Sequence, residues 1–279
     1  MRSGGAYRRR TTELTARDVD NNHKQGTMIM LNRTMKAASV SAALVLFCLS
    51  GAASAQDTTR LLVQVSHLKP ERVAEWRALQ QNEVMPALKK AGVTQRTVLE
   101  TLFGDRTEYV SLRPLPSFAE FDGDGVLAAA LGQRAADALA AKLAACTVST
   151  QRYIINRQNE FNAGATTGSI FVTTRYRINP GAGPSYRQFL RDYAHPLNLR
   201  GVQENKILGA SVSISGNGAP EPGLWIQTTY LPSVAALDAG GLAGQLLEAA
   251  QLELLNQRAS QLRTNHSNIV RRVIPELSY

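Results

Sequence analysis

The sequence is short of the residues that usually announce chemistry. Of its 279 residues, two are cysteines, Cys48 and Cys146, and four are histidines. No His-x-His, His-Glu-x-x-His or Cys-x-x-Cys spacing occurs, so a metal would have to gather ligands from distant segments, and none is expected. There is no Gly-x-Ser-x-Gly elbow, and Gly181-Ala182-Gly183 lacks both a third glycine and a phosphate-loop lysine. Asp122-Gly123-Asp124-Gly125 opens like a calcium loop without the later ligands, and reads as a turn and helix cap. Charge of one sign is scarcer than it looks. The formal charge is +9, but residues 1–55 hold 8 basic and 3 acidic residues, leaving only +4 on the remainder. That excess, without an aromatic RNA-binding strand signature, excludes a nucleic-acid partner. At 44% hydrophobic and 19% charged, the chain is not disordered or collagen-like.

A leader is present. Arg33 and Lys36 precede an apolar stretch at 37–49, which is too short to span a bilayer comfortably, and Ala53-Ser54-Ala55 is a small-x-small cleavage site. Residues 30–55 therefore read as a secretory signal peptide cleaved after Ala55, with an uncleaved anchor as the alternative. The mature protein is expected in the periplasm or outside the cell, with no membrane anchor left. Phe47 before Cys48 argues against lipidation. Residues 1–29 read as a non-native or disordered extension, with translation starting at Met28, Met30 or Met35. The mature chain keeps only Cys146, so it has no internal disulfide; the thiol lies in an alanine-rich helical pattern and reads as buried and inert.

The mature chain is one unit written twice. A shift of 110 brings Leu68-Lys69-Pro70 onto Ile178-Asn179-Pro180, Trp76 onto Tyr186, and Val84-Met85-Pro86 onto Ala194-His195-Pro196. After a six-residue insertion, a shift of 116 brings Tyr109 onto Trp225 and Leu115-Pro116-Ser117 onto Leu231-Pro232-Ser233. Each copy reads β-α-β-β-α-β. The first has strands near 60–67, 94–103, 107–113 and 149–157, and helices near 71–91 and 126–145. The second has strands near 170–178, 203–214, 224–231 and 267–274, and helices near 184–199 and 242–263. Gly92 and Gly201 are the expected helix stops. Pro86 and Pro196 are expected to kink their helices. The repeats span 56–158 and 169–279, joined by a small polar linker at 159–168.

This order is the split β-α-β motif of ferredoxin-like folds. Leu61, Leu62 and Val63 are apolar on both parities, as are Ile154 and Ile155, so both sheet faces are buried. The expected class is α+β, with two ferredoxin-like repeats packed sheet on sheet as a pseudo-dimeric barrel within one chain.

At these residues the chain resembles the dimeric α/β-barrel superfamily in its fused two-repeat form, and within it NIPSNAP-like and antibiotic-biosynthesis-monooxygenase-like domains. The strand at 61–65, the Trp76 helix with Val84-Met85-Pro86-Ala87-Leu88, and Tyr109-Val110-Ser111-Leu112 carry the likeness, which covers nearly all of 60–277. The resemblance implies a ligand space between sheet and helices. It implies no single reaction, because the superfamily includes haem-degrading and quinone-forming oxygenases, haem peroxidases and members without known activity.

Polar groups on the inner helical face are the natural site candidates. Gln80 and Glu83 interrupt the stripe begun by Trp76, and Glu83 beside an indole is a candidate general base. His67 ends the first strand, His266 enters the last, and His195 precedes Pro196 near Tyr193. His195 would be the axial ligand if haem were bound. Arg175, mid-strand, either grips an anion or pairs with an internal acid. Glu83, His67 and His195 are thus the catalytic candidates, and Trp76, Gln80, Tyr193 and Arg175 the ligand-binding ones. The leading expectation is an exported module that binds a small apolar or aromatic ligand, or that takes part in an interaction, with further self-association open and no cofactor. The alternative is a cofactor-free or haem-linked, monooxygenase-like oxidoreductase acting on an aromatic or haem-like substrate. A lyase or isomerase using Glu83 as base is a variant of it.

Overall fold

A computed structural model describes residues 58–279; the stretch read from sequence as a signal peptide with its cleavage site, and the 1–29 extension, lie outside the described residues. In the first half, β1 (Thr58–Leu68), β2 (Thr97–Phe103), β3 (Glu108–Pro114) and β4 (Thr147–Gln158) lie in the order β4-β1-β3-β2. In the second, β6 (Ile170–Ile178), β7 (Gly209–Ser215), β8 (Trp225–Leu231) and β9 (Arg263–Val273) follow as β9-β6-β8-β7. The order is the same in both halves. β2 pairs with β9 and β4 with β7, all antiparallel, closing an eight-stranded barrel. Closure leaves neither half with an unpaired edge.

The two parities of β1 explain why the apolar run is unbroken. Leu61, Val63 and Val65 face a lumen shared with Phe171, Ile226 and Tyr230 of the other half. Leu62 faces outward and packs with Leu115 and Ile154. The lumen also holds an ion pair. Arg271 and Arg272 look on sequence like a solvated strand end, but Arg271 is only 4% exposed and its Nη2 meets Glu108 Oε1 at 2.5 Å across the β2–β9 side of the barrel. Arg272, on the other parity, is exposed and pairs with Glu100.

The first helix of each half is not simply kinked. In the first half, α1 (Val73–Leu79) runs through a wide π-turn, Gln80–Val84, into α2 (Met85–Lys90). In the second, the turn Leu190–Ala194 separates α5 (Gly183–Phe189) from α6 (His195–Gln203). Pro86 and Pro196 have no N–H to give, and their rings would strike the carbonyl four residues back. The wide turn resolves this: the N–H groups of Met85 and His195 reach back five residues, to Gln80 and Leu190. A π-turn therefore stands at the corresponding place in the first helix of each half, a feature that recurs at functional sites.

The second helix of each half is broken. Gly132, at φ 81°, separates α3 (Val126–Leu131) from α4 (Gln133–Cys146). A capping box between Glu248 and Gln251 starts α8 (Ala249–Leu262) afresh after α7 (Leu242–Leu246). Gly92 ends its helix as expected, at φ 83°, but Gly201 lies inside α6, which stops at Asn205, φ 54°. The linker is more than a polar tether: Phe161 within it is buried, and β5 (Ala163–Gly164) pairs with β7. Cys146 is fully buried, and burial pushes its thiol upward from the usual range. Among the described residues no helix is long and apolar enough to cross a membrane.

Candidate functional site

Each half encloses a chamber between the outer face of its sheet and its helices. The first is about 630 Å³ and the second about 570 Å³, both within the range of small-ligand pockets. The walls correspond. Leu62, Gln64 and Ser66 of β1 line the first, and Val172, Thr174 and Tyr176 of β6 line the second. A sheet–helix space thus persists in both halves, as the resemblance implied.

Two of the candidate ligand residues meet in the first chamber. Trp76 and Gln80, one helical turn apart, both face it and are 3% and 2% exposed. The indole is wedged against Tyr109. Gln80 opens the π-turn, and its Oε1 accepts a 2.6 Å hydrogen bond from Nη2 of Arg96. Arg96 is absent from the sequence candidates because it sits in the irregular stretch before β2, where no periodicity marks a facing side chain. It is held there by its backbone, which exchanges two 2.8 Å hydrogen bonds with Tyr279.

Arg96 is the unusual group of the structure. It is 5% exposed and lines the chamber, and its Nη1 has no hydrogen-bond partner. Among the described residues no carboxylate reaches it; its one side-chain partner, Gln80, is neutral. Burial pulls its pKa down to about 10, with Tyr279 opposing and Arg113 adding to the fall. It remains charged at neutral pH. Arg113, also at the chamber wall, is already neutralised by a two-pronged pair with Glu120. Three guanidiniums line the chamber, Arg96, Arg113 and Arg152, beside the carboxylates Glu120, Asp124 and Asp137; of the three guanidiniums Arg96 is the buried one without a carboxylate partner among the described residues. A buried cation with a free N–H fork is costly by itself and is suited to receive an anion.

The other candidates lie elsewhere. Both carboxylate oxygens of Glu83 take Lys142 Nζ at 2.9 Å on the surface, so Glu83 ties the π-turn to α4 and does not line the chamber. His67 Nδ1 sits 3.0 Å from Asp105 at the β2–β3 hairpin, half-exposed. His266 joins Glu221 and Arg177 in a surface cluster. Tyr193 stacks beside Phe189 and under Arg258, lining a shallow outer groove. Arg175 shares the lumen parity of Phe171 and Thr173 and has no ion pair among the described residues, contrary to the internal acid expected for it.

His195 does not suit a haem iron. Its ring packs edge-on to Phe161 at 6.3 Å, and it lines neither chamber. Among the described residues no imidazole or thiol lines either space, so none of them offers haem iron a nitrogen or sulfur donor of that kind there. Among the described residues no three histidines, cysteines or acids converge as metal ligands.

No family model and no curated protein sequence matches the chain. Solved structures do. A candidate monooxygenase from Lactobacillus acidophilus NCFM superposes with a TM-score of 0.52 at 7% identity, covering 78% of this chain and 94% of that one. An anthrone oxidase-like protein gives 0.49 at 12% identity, with 78% and 92% covered. A heme-binding protein from Thermus thermophilus gives 0.47 at 9%, again with 78% and 92% covered. At such identities the first likeness speaks for architecture, not reaction. The chain shares the fold of the Lactobacillus protein: an eight-stranded antiparallel barrel flanked by helices, here with all eight barrel strands in one chain.

Proposed function

We propose that the protein is a cofactor-independent, monooxygenase-like oxidoreductase whose substrate is a small aromatic anion held in the first chamber. The observation that carries the substrate class is Arg96: a buried guanidinium with a free Nη1, facing a chamber bordered by an indole. An aromatic ring fills the space beside Trp76, and its carboxylate or phenolate oxygen supplies the missing partner of Nη1. Charge stabilisation at that oxygen keeps the ring in its electron-rich, deprotonated form, which is the form that yields electrons to dioxygen. The name of the Lactobacillus neighbour supports the reaction type. This reading follows the monooxygenase-like half of the resemblance rather than the NIPSNAP-like half, and replaces the passive binding module as the leading account.

We also read the two halves as ferredoxin-like repeats, supported by their identical strand orders and paired π-turns. Export through the leader ending at Ala55 belongs to the same proposal, and rests on the basic, apolar and small-residue segments in sequence.

The test uses 1,4-dihydroxy-2-naphthoate. Titrated anaerobically, it should bind the wild type and bind Arg96→Met at least about ten-fold more weakly. In air, wild-type protein should raise oxygen uptake above the protein-free rate, and Arg96→Met should not. Binding without added uptake would return the chain to the binding-module account. No binding at all would remove the site.

A further inference from the structure

The second chamber is lined differently from the first. The shift of 110 places Leu190 where the first half has Gln80, and Asn198 where it has Leu88. The polar side chain has thus moved eight residues along the helix, past the π-turn, to about two turns away. Asn198 is 4% exposed, lines the chamber, and has no side-chain hydrogen-bond partner among the described residues. The chamber's lining mixes apolar side chains such as Phe189 and Ile207 with uncharged polar ones such as Gln227, Asn256 and Asn268.

Arg263 is the one charged residue lining this space, and it is already occupied. Its guanidinium lies 3.5 Å over the Tyr176 ring, and its Nη1 donates a 2.6 Å hydrogen bond to Tyr186 Oη. The first chamber therefore offers an uncompensated cation, whereas the second offers an unpartnered amide. The Asn198 amide opens onto the chamber, and a ligand that displaces water from it must supply a hydrogen-bond donor or acceptor in its place.

We infer that the second chamber binds an uncharged ring compound bearing a single hydroxyl or carbonyl, which the Asn198 amide engages. The protein then carries two ligand sites, one for an anion and one for an uncharged compound, and the divergence of its halves is functional.

The probe is 2-naphthol, uncharged at neutral pH, titrated calorimetrically against the purified protein beside 2-naphthoate. 2-Naphthol should bind, and saturating 2-naphthoate should not displace it. Asn198→Leu should weaken 2-naphthol at least about ten-fold and leave 2-naphthoate unchanged. Thr229→Trp, which fills the same space from a rigid strand, should abolish 2-naphthol binding and covers the case in which Asn198→Leu does not fold. The inference is overturned if 2-naphthol fails to bind, if both variants bind it like the wild type, or if Arg96→Met rather than Asn198→Leu removes it. The first-chamber reading stands or falls separately on 2-naphthoate.

Discussion

The rings of Trp76 and Tyr109 lie 5.0 Å apart, tilted by 51°, in the layer between the first sheet and its helices. The second half holds the same contact with the partners exchanged: Tyr186 on the helix meets Trp225 on the strand at 5.1 Å. Both members of each pair are buried. One indole and one phenol make the same contact in each half, so the two halves share this packing while residue identity changes. Trp76→Ala should cost about 3–5 kcal/mol, as large core truncations do. At roughly 2–4 °C per kcal/mol for a chain of this size, the loss is readily seen in thermal unfolding. The double replacement Trp76→Tyr with Tyr109→Trp, which writes the second half's arrangement into the first, should recover most of that stability. Recovery no better than that of Trp76→Tyr alone would show that the two layers do not share a packing rule.

Arg96 should behave as a group kept for binding at the expense of stability. Its Nη1 is buried without a partner, and only neutral Gln80 takes Nη2. Exchanging a poorly compensated buried charge for an apolar side chain of similar length is commonly neutral or stabilising. Arg96→Met is therefore expected to leave the unliganded protein as stable as the wild type or up to about 2 kcal/mol more stable. The same variant should lose anion binding. Urea unfolding of both proteins, with and without 2-naphthoate, reads the two effects in one series. A large destabilisation of the free protein would make Arg96 a structural residue.

The lumen pair gives a pH dependence with a definite sign. Burial alone would raise the Glu108 carboxyl; the charge and hydrogen bond of Arg271, with a further hydrogen bond from Thr101, bring it below its ordinary value. A carboxyl depressed on folding stabilises the fold fully above its unfolded value, about 4.3, and that contribution is lost as pH falls through the folded value. Glu108→Gln leaves Arg271 charged and uncompensated, so it should cost about 3–5 kcal/mol at pH 7. Its deficit relative to wild type should begin to shrink as pH drops below the unfolded value, about 4.3, and vanish only once pH has fallen through the depressed folded value, where wild-type Glu108 is neutral too. A deficit that stays constant from pH 7 to pH 3 would mean the pair contributes nothing by charge.

The barrel was legible because alternation is a local signal: Leu61, Leu62 and Val63 require two buried faces, and the second half of the chain supplies the cover for one of them. Trp76 and Gln80 were legible for the same reason, since helical periodicity places them on the inner face. Glu83 carries the same signal but sits three residues further on, at the edge of the stripe, where Lys142 of a distant helix decides its direction. Arg96 gave no signal, because a side chain outside regular structure has no period to betray what it faces. The buried state of Arg271 was hidden differently. Adjacent strand residues point to opposite faces, so the pair Arg271-Arg272 divides between lumen and solvent, and composition cannot show which is which. The two helix breaks were missed where Gly132 and Leu247-Glu248 interrupt otherwise continuous apolar patterns.

Gly209 tests whether the segment joining the halves is structural. It begins β7 and pairs with Gly164 of β5 in the linker. A methyl group there would lie 1.9 Å from the carbonyl oxygen of Ala165 and 2.6 Å from that of Ala163, distances at which backbone must move. The linker is otherwise pinned by the hydrogen bond from Ala165 N–H to Leu208 O and by buried Phe161, so it has no cheap way to retreat. Gly209→Ala should therefore cost about 1–3 kcal/mol, the range for forced overpacking, and should expose the 159–168 stretch to proteolysis. Ala210→Gly, one residue along in the same strand, removes a methyl instead of adding one and serves as the control for strand propensity. If limited proteolysis cuts the linker equally fast in wild type and Gly209→Ala, the linker is a tether after all, and the halves are held by the barrel seams alone.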